Sequence, residues 1–185
     1  MAKTKKIEKR MTGKKAPCVK FRTRVRDSKL KGQNPYKWRT IHTKDLLKNK
    51  KTVIFSLPGA YTPTCSSKHL PDYEKHYGKL KKLGVDDVYC VSVNDAFVMN
   101  NWAKKLKVKN VKMLPDGNGE FTTKMNAMVK KENLGFGPRS WRYSAYVDNG
   151  KIIKVFEEPG MKANCRSDPF KCSDVHTMIN YLENK

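Results

Sequence analysis

Several features that mark other classes of protein are missing from this sequence of 185 residues. No apolar run approaches the roughly 20 residues that a membrane-spanning helix needs, and the basic start MAKTKKIEKRMTGKK lacks the apolar stretch of a secretory signal. The 5 cysteines form no C-x-x-C pair, and an odd number does not suit a secreted disulfide framework. These absences predict a cytoplasmic protein with no membrane partner and at least one free thiol.

Acidic residues are also scarce, with 17 Asp and Glu against 40 Lys and Arg and a formal net charge of +23. The excess is concentrated in residues 1–51, which hold 19 basic residues and only Glu8, Asp27 and Asp45 as acids. Such a segment could bind a polyanion by releasing counterions. No zinc-finger spacing, helix-turn-helix or RNP-like motif accompanies it. We therefore expect a solvated basic surface and no nucleic-acid partner, and we keep polyanion binding as an alternative function.

The length suits one domain, because a chain of this size can bury about 70% of its unfolded surface without a disulfide or a metal. Residues 1–15 are expected to form a basic, flexible tail, and residues 16–185 the domain. Alternating apolar residues predict a strand in VKFRTRVRD. Apolar runs predict three buried strands, which are KTVIFSL (51–57), DDVYCVSVND (86–95) and VKMLPDG (111–117).

Helical spacing predicts one helix from Cys65 to about Leu83 with a kink at Pro71, a second after the N-cap Asp95, and a weak one over about 120–129. The run YSAYVDNGKIIKVFEE (143–158) predicts a hairpin around Asn149 and Gly150, and a last helix follows Ser173. This order predicts the α/β class and a thioredoxin-like fold. A mixed central sheet would be flanked by helices, with an added N-terminal strand region.

One cysteine stands in a setting that suits chemistry. The stretch FSLPGAYTPTCSSKHLPDY (55–73) places Cys65 after proline, glycine and hydroxyl residues, at the start of a predicted helix. That position favours a thiolate, yet cysteine is also often a buried packing residue. For any thiol, a drop in pKa from about 8.5 to about 6 raises the thiolate fraction roughly 30-fold, but the lost nucleophilicity leaves a net gain of about twofold. A large rate increase therefore needs neighbouring groups that act on the substrate.

The same stretch contains the pattern P-x-x-x-T-x-x-C, with Pro58, Thr62 and Cys65 at the three fixed places. Together with HLPDY, CVSVNDAFVMNNWA and RSWRYSAYVDNG, it resembles the type-five peroxiredoxins from about Pro17 to Leu182. The resemblance implies an enzyme, a thiol peroxidase that reduces hydrogen peroxide and alkyl hydroperoxides through a cysteine sulfenic acid. It implies a role in antioxidant defence and redox homeostasis, with no cofactor and no metal.

The resemblance also implies roles for individual residues. Cys65 is the nucleophile, the hydroxyl of Thr62 orients sulfur and peroxide, Pro58 shields the site, and Arg142 of the R-Y-S string completes it. A guanidinium suits that place because it stays charged and holds several donors in a plane. Phe136 is expected to line the substrate pocket. His69, four residues after Cys65, is expected to be structural and not a base.

The sequence does not decide the source of the reducing electrons. Cys172 stands where some relatives have a resolving cysteine, Cys165 is the alternative, and a mechanism that uses only Cys65 is equally open. The resemblance implies thioredoxin, glutaredoxin or glutathione as reductant and a homodimer formed through the face of the active-site loop. A zinc site from Cys165, Cys172 and His176 has little support from their spacing. A general thiol-disulfide oxidoreductase is a further alternative, which the missing C-x-x-C disfavours.

Overall fold

The apolar runs of the sequence form a central sheet, and the amphipathic segments form helices around it. The computed structural model describes residues 6–185. The strands are β1 (Lys20–Arg26), β2 (Tyr36–His42), β3 (Lys51–Ser56), β4 (Asp87–Ser92), β5 (Lys112–Pro115), β6 (Met128–Lys130), β7 (Pro138–Ser140), β8 (Tyr143–Asp148) and β9 (Lys151–Glu157). The α-helices are α1 (Lys6–Met11), α2 (Thr43–Leu47), α3 (Leu70–Lys75), α4 (Tyr77–Lys82), α5 (Ala96–Lys105), α6 (Glu120–Lys124) and α7 (Val175–Glu183). A π-helical turn (Cys65–His69) and a 3₁₀ turn (Glu132–Leu134) complete the list.

The central sheet has five strands in the order β5-β4-β3-β8-β9. Strands β3, β4 and β5 run parallel, whereas β8 runs antiparallel to β3 and β9 antiparallel to β8. The predicted hairpin is confirmed, and Asn149 and Gly150 at its turn have positive φ angles of 44° and 77°. A two-residue turn with positive φ at both positions matches the twist of the strands that it joins. The predicted mixed sheet is thereby confirmed.

Each face of the sheet has its own apolar core, because successive side chains of a strand point to opposite faces. Ile54 of β3 belongs to one core with residues of α1, α2 and α6. Its neighbour Phe55 belongs to the other, with residues of α3, α4, α5 and α7. In that second core the ring of Phe55 stacks on Tyr73 with 4.2 Å between centroids. Cys65 lies in this core as well.

The predicted helix from Cys65 to about Leu83 is divided into three parts. Residues 65–69 form the π-helical turn, and α3 and α4 follow with a break at His76. Pro71 stands in the first turn of α3, directly after the π-helical turn, and has no N–H to donate to that turn. The helix after Asp95 is confirmed, and the Asp95 carboxylate accepts the N–H groups of Phe97 and Val98. The helix expected over 120–129 ends at Lys124.

The N-terminal segment differs from the prediction of a flexible tail. Residues 1–5 lie outside the described residues, but residues 6–11 form α1, where Ile7 and Met11 are buried one turn apart. The side chain of Glu157 accepts the N–H of Ile7 at 2.8 Å and fixes the start of this helix to β9. The prediction of a tail is therefore wrong for this helix, because Ile7 and Met11 are buried and Glu157 holds its first turn.

The added N-terminal strand region is a hairpin of β1 and β2 that pairs outside the central sheet. Sequence patterns predicted β1 but not β2, whose residues are exposed or half-buried and show no apolar alternation. They also did not predict the short pair β6 and β7. No helix within residues 6–185 has both the length and the apolar character that crossing a bilayer requires.

Candidate active site

The loop after β3 carries the P-x-x-x-T-x-x-C residues to one end of the sheet. The side chain of Asn94 accepts the N–H of Ala60 at 3.0 Å and fixes the turn of the loop. Thr62 donates its hydroxyl hydrogen to the carbonyl oxygen of Gly59 at 2.8 Å. Cys65 then begins the π-helical turn, in which the N–H of Leu70 donates to the carbonyl oxygen of Cys65. Such turns are rare and often lie at functional sites.

Strand pairing brings Arg142 to the same place across a separation of 77 residues. Because β8 runs antiparallel to β3 with Tyr143 opposite Ser56, Arg142 lies at the edge where the chain leaves β3 for the loop. Its Nη1 atom lies 3.4 Å from Sγ of Cys65. Cys65 is 0% exposed and Arg142 1% exposed, so this contact is shielded from water. A buried cation therefore faces the sulfur of the predicted nucleophile.

The guanidinium of Arg142 is held by three further partners. Its Nε donates to the carbonyl oxygen of Pro169 at 3.1 Å, and its Nη2 to the carboxylate of Asp168 at 2.5 Å. Nη1, which contacts Cys65, also lies 3.2 Å from Nδ1 of His69. Burial disfavours the charge of Arg142, but Cys65 and Asp168 outweigh burial and raise the pKa of Arg142. The guanidinium is thus both fixed in its plane and kept charged.

His69 lies beneath Arg142 in an aromatic environment. Its ring is fully buried, with centroids 4.8 Å from Phe55 and 4.9 Å from Phe170. Its Nε2 atom lies 3.1 Å from the carbonyl oxygen of Ser173. Burial lowers the pKa of His69 well below its ordinary value, and the charge of Arg142 lowers it further, against the smaller opposite effect of the bond to Ser173. His69 is therefore neutral at physiological pH.

A buried carboxylate organises the segment that covers Arg142. Glu158 is 0% exposed, and its Oε1 atom accepts the N–H groups of Lys171, Cys172 and Ser173 at 2.8 to 2.9 Å. The hydroxyl of Ser173 donates to the same atom at 2.7 Å. Three successive N–H groups on one carboxylate fix the backbone after Pro169 and direct the carbonyl oxygen of Ser173 towards His69.

A pocket of about 320 Å³ opens beside these groups. Its wall includes Pro58, Thr62 and Phe136, the residues predicted to shield the site, orient the peroxide and line the pocket. Asp168, the carboxylate partner of Arg142, and Cys165 line the same pocket. The structure thus brings Cys65 together with Arg142, and it places Pro58, Thr62 and Phe136 on one pocket wall. Cys65 and Arg142 do not line this pocket, which Asp168 connects to Arg142.

The two candidate resolving cysteines differ in their surroundings. Cys165 lines the pocket, and its Sγ lies 3.3 Å from Oγ of Ser167. Burial raises the pKa of the Cys165 thiol, but hydrogen bonds with Ser167 and the charges of Lys131 and Lys162 outweigh burial and lower it below its ordinary value. Cys172 is half-buried, and its thiol donates to the carbonyl oxygen of Glu157 at 3.3 Å.

Comparisons with known proteins find relatives over most of the chain. The family model described as Redoxin matches residues 11–168. A peroxiredoxin of Synechocystis is 57% identical over 94% of this chain and 92% of its own length. The hybrid peroxiredoxin hyPrx5 of Haemophilus influenzae is 53% identical over 93% of this chain and 66% of its own. The solved 1-Cys peroxiredoxin, antioxidant protein of Plasmodium falciparum, superposes with a TM-score of 0.87 at 37% identity and covers 94% of this chain and 99% of that one.

The chain belongs to the peroxiredoxin family. Within the family it is a type-five peroxiredoxin, with the thioredoxin-like fold that the sequence predicted. It is a thiol-dependent peroxidase, an enzyme that reduces a peroxide with electrons from a thiol reductant. These relatives favour the peroxidase over polyanion binding and over general thiol-disulfide exchange.

Three residues of this peroxiredoxin site were not predicted from the sequence. Asp168 and Pro169 hold the guanidinium, and Glu158 holds the segment that follows. Glu158 could have been noticed as a second acid at the end of a buried strand, but Asp168 stands in a loop without a pattern. Within residues 6–185 no group of His, Cys, Asp and Glu is arranged to hold a metal, so Cys165, Cys172 and His176 do not form a ligand set.

Proposed function

We propose that Cys65 is the peroxidatic nucleophile and that Arg142 and Thr62 act on the peroxide with it. The thiolate of Cys65 attacks one peroxide oxygen, an S–O bond forms as the O–O bond breaks, and Cys65 becomes a sulfenic acid. The leaving oxygen takes up a proton and departs as water or an alcohol. The observation that carries this proposal is the contact of 3.4 Å between Nη1 of Arg142 and Sγ of Cys65 in a buried site.

Thr62 is suited to orient the peroxide because its hydrogen is already engaged. The hydroxyl donates to the carbonyl oxygen of Gly59, so that its oxygen is left to accept a hydrogen bond. If one oxygen of the peroxide donates its hydrogen to Thr62, the other oxygen is free to face the sulfur of Cys65, which lies three residues further along the chain. Thr62 would therefore set the orientation of the O–O bond before attack.

Arg142 retains a donor for the developing charge. Four of its five N–H groups are directed at Cys65, His69, Asp168 and Pro169. The second N–H of Nη2 has no described hydrogen-bond acceptor among residues 6–185, and we propose that it donates to a peroxide oxygen that enters the buried site. A fixed donor at an oxygen that gains charge in the transition state is worth about 10²- to 10³-fold in rate.

The shape of the pocket supports a substrate range from hydrogen peroxide to alkyl hydroperoxides. Its volume of about 320 Å³ exceeds what hydrogen peroxide needs, and Pro58, Phe136 and Leu134 provide apolar surface for an alkyl group. We expect Phe136→Ala to weaken turnover of an aromatic hydroperoxide such as cumene hydroperoxide more than turnover of hydrogen peroxide. Equal losses with the two substrates would argue against an alkyl subsite.

The experiment that tests the nucleophile is peroxide consumption by Cys65→Ser. Removal of this thiol should abolish turnover, because no other group replaces it. Cys18→Ser is the matched control, since Cys18 is exposed and remote from the described contacts of Arg142. Cys90 is a less suitable control, because it is buried in β4 and burial raises its pKa well above the ordinary value. Normal turnover by Cys65→Ser would refute the proposal that Cys65 is the nucleophile.

For the second half of the cycle we propose Cys165, in preference to Cys172, as the resolving cysteine. Its place on the pocket wall and the cations Lys131 and Lys162 around it support a thiolate at this position. The thiolate attacks the sulfur of the Cys65 sulfenic acid, a disulfide bond forms, and hydroxide leaves and becomes water. Because Cys65 is fully buried, the π-helical turn has to open before the two sulfur atoms meet.

Mass spectrometry after one equivalent of peroxide distinguishes the routes. We expect a disulfide between Cys65 and Cys165 in the wild type and in Cys172→Ser, and a lone sulfenic acid in Cys165→Ser. A disulfide to Cys172 would refute the assignment. A lone sulfenic acid in the wild type would support a mechanism with one cysteine, which the name of the Plasmodium relative indicates for that protein.

The thiol reductant is proposed to be thioredoxin, glutaredoxin or glutathione. A disulfide from Cys65 to Cys165 favours a dithiol protein over glutathione, because a dithiol can open it without a mixed disulfide accumulating. Side-by-side turnover assays with the three reductants test this order. A cytoplasmic location would suit the cycle, since thiols are kept reduced there, and cell fractionation tests it.

A homodimer is proposed through the face that carries the active-site loop. Tyr61, which directly precedes Thr62, and Leu134 on the pocket wall are 47% and 51% exposed. Large apolar side chains at this exposure support a covered face. Sedimentation of the wild type should give a dimer, and Tyr61→Asp should shift it towards monomer. A monomeric wild type would refute this part of the proposal.

A further inference from the structure

The two N–H groups of Nη1 in Arg142 are shared between sulfur and imidazole. One lies towards Sγ of Cys65 at 3.4 Å and the other towards Nδ1 of His69 at 3.2 Å. A guanidinium has only donors, so Nδ1 of His69 must present its lone pair. On the other side of the ring, Nε2 lies 3.1 Å from a carbonyl oxygen of Ser173, which has only lone pairs. Nε2 must therefore carry the hydrogen.

From these contacts we infer that His69 is a positioning residue for peroxide reduction, and that its neutral tautomer with hydrogen on Nε2 holds the guanidinium of Arg142 against Cys65. The inference rests on the proposed function of Arg142. His69 does not line the pocket and is not a base. It acts by giving one N–H of Nη1 an acceptor, which leaves the other N–H of that nitrogen to face the sulfur.

The hydrogen on Nε2 is in turn directed by the buried segment at Glu158. Ser173 donates both its N–H and its hydroxyl to Oε1 of Glu158, at 2.8 and 2.7 Å, which fixes the carbonyl oxygen that faces His69. Tyr73 donates its hydroxyl to the same carbonyl oxygen at 3.1 Å. These contacts keep the carbonyl oxygen of Ser173 facing His69. With the hydrogen on Nδ1 instead, the lone pair of Nε2 would face a lone pair of this oxygen.

A protonated ring would be equally unsuited to this place. A hydrogen on Nδ1 would face the N–H of Arg142, and two positive charges would lie 3.2 Å apart in a buried site. The contact with Arg142 therefore exists only for the neutral form. Phe55, Phe170 and Tyr73 surround the ring and offer no carboxylate that could stabilise the imidazolium.

Replacements of His69 separate positioning from packing. His69→Leu fills the buried space without an acceptor, whereas the side-chain oxygen of His69→Asn can lie near the place of Nδ1. We expect the rate constant of Cys65 with hydrogen peroxide to fall roughly 10- to 100-fold in His69→Leu, the usual range for one hydrogen bond to a charged group. His69→Asn should recover most of this loss. Ser56→Ala is the matched control, because it removes a buried hydrogen bond to the carbonyl oxygen of Val91 and has no described contact with Arg142, His69 or Ser173.

Two further measurements distinguish this role from a merely structural one. Alkylation of Cys65 by iodoacetamide at about pH 9 needs no guanidinium at an O–O bond, so His69→Leu should change it less than about threefold. Nitrogen NMR of the wild-type imidazole should show hydrogen on Nε2 and none on Nδ1. An equal fall in peroxide and iodoacetamide rates, no recovery in His69→Asn, or hydrogen on Nδ1 would overturn the inference. Peroxidase activity in Cys65→Ser would instead overturn the proposed function, but it would not affect the assignment of the hydrogen to Nε2 of His69.

Discussion

Replacement of Arg142 by lysine separates the charge of this residue from its geometry. The guanidinium uses three nitrogen atoms to reach four partners, at 3.1 Å for Pro169, 2.5 Å for Asp168, 3.2 Å for His69 and 3.4 Å for Cys65. A lysine has one nitrogen with three hydrogens and cannot reach all of them. The charge remains in the pocket, but the fixed plane of donors is lost.

The expected cost follows from the donor that the transition state loses. Loss of one fixed donor to a developing oxyanion lowers the rate about 10²- to 10³-fold, or about 2.7–4 kcal/mol. Stopped-flow measurement of Cys65 oxidation by hydrogen peroxide gives this number directly. Urea unfolding of the same variant shows whether the fold is affected, because His69 and Pro169 lose a donor at a cost of about 1–3 kcal/mol each where no water replaces it.

Arg139 provides a matched control for this substitution. It stands three residues earlier on β7 and donates to the carbonyl oxygens of Phe136 and Val93, at 2.9 and 3.0 Å, and not to Cys65. Arg139→Lys should therefore stay within about threefold of the wild-type rate. A rate for Arg142→Lys within threefold of wild type would show that charge alone is sufficient and that the fixed donors are not required.

Three further predictions concern the groups around Arg142. Asp168→Asn should slow peroxide reduction only a few-fold in stopped flow, because the Asp168 side chain is 41% exposed and screened by water, and Arg142 keeps its contacts with Pro169, His69 and Cys65. Glu158→Gln should lower the free energy of unfolding in urea by about 1–3 kcal/mol, because a buried carboxylate with several donors loses its charge. Burial and Arg142 lower the pKa of His69, so the unfolded chain binds a proton below about pH 6.5 that the folded chain does not. As the pH decreases below that value, the free energy of unfolding should therefore decrease, by at most about 1.4 kcal/mol per pH unit. Urea unfolding of His69→Leu should lack this contribution.

Local pattern was enough to predict the parts of the fold that depend on neighbouring residues. The apolar runs at β3, β4 and β5 and the turn at Asn149 and Gly150 have strong local signals, and all four elements are confirmed. Strand β2 has no such signal, because its position depends on pairing with β1. The docking of α1 depends on a carboxylate 150 positions away, at Glu157, which no local pattern shows.

The same division applies to the site. Pro58, Thr62 and Cys65 form a motif within eight residues, whereas Arg142 was assigned by resemblance, and its contact with Cys65 depends on the register of β3 and β8. The relation of His69 to Ser173 spans 104 residues and depends on how the last helix docks. Tautomers are set by partners in space, so sequence spacing alone predicted only that His69 lies near Cys65.

The most direct test of the central claim is to find which cysteine hydrogen peroxide oxidises first. Limiting peroxide, a sulfenic-acid trap such as dimedone, and peptide mass spectrometry would follow all five cysteines in one sample. The trap should label Cys65 at the shortest times, and Arg142→Lys should delay this label about 10²- to 10³-fold. Early labelling of another cysteine while Cys65 stays reduced would contradict this prediction.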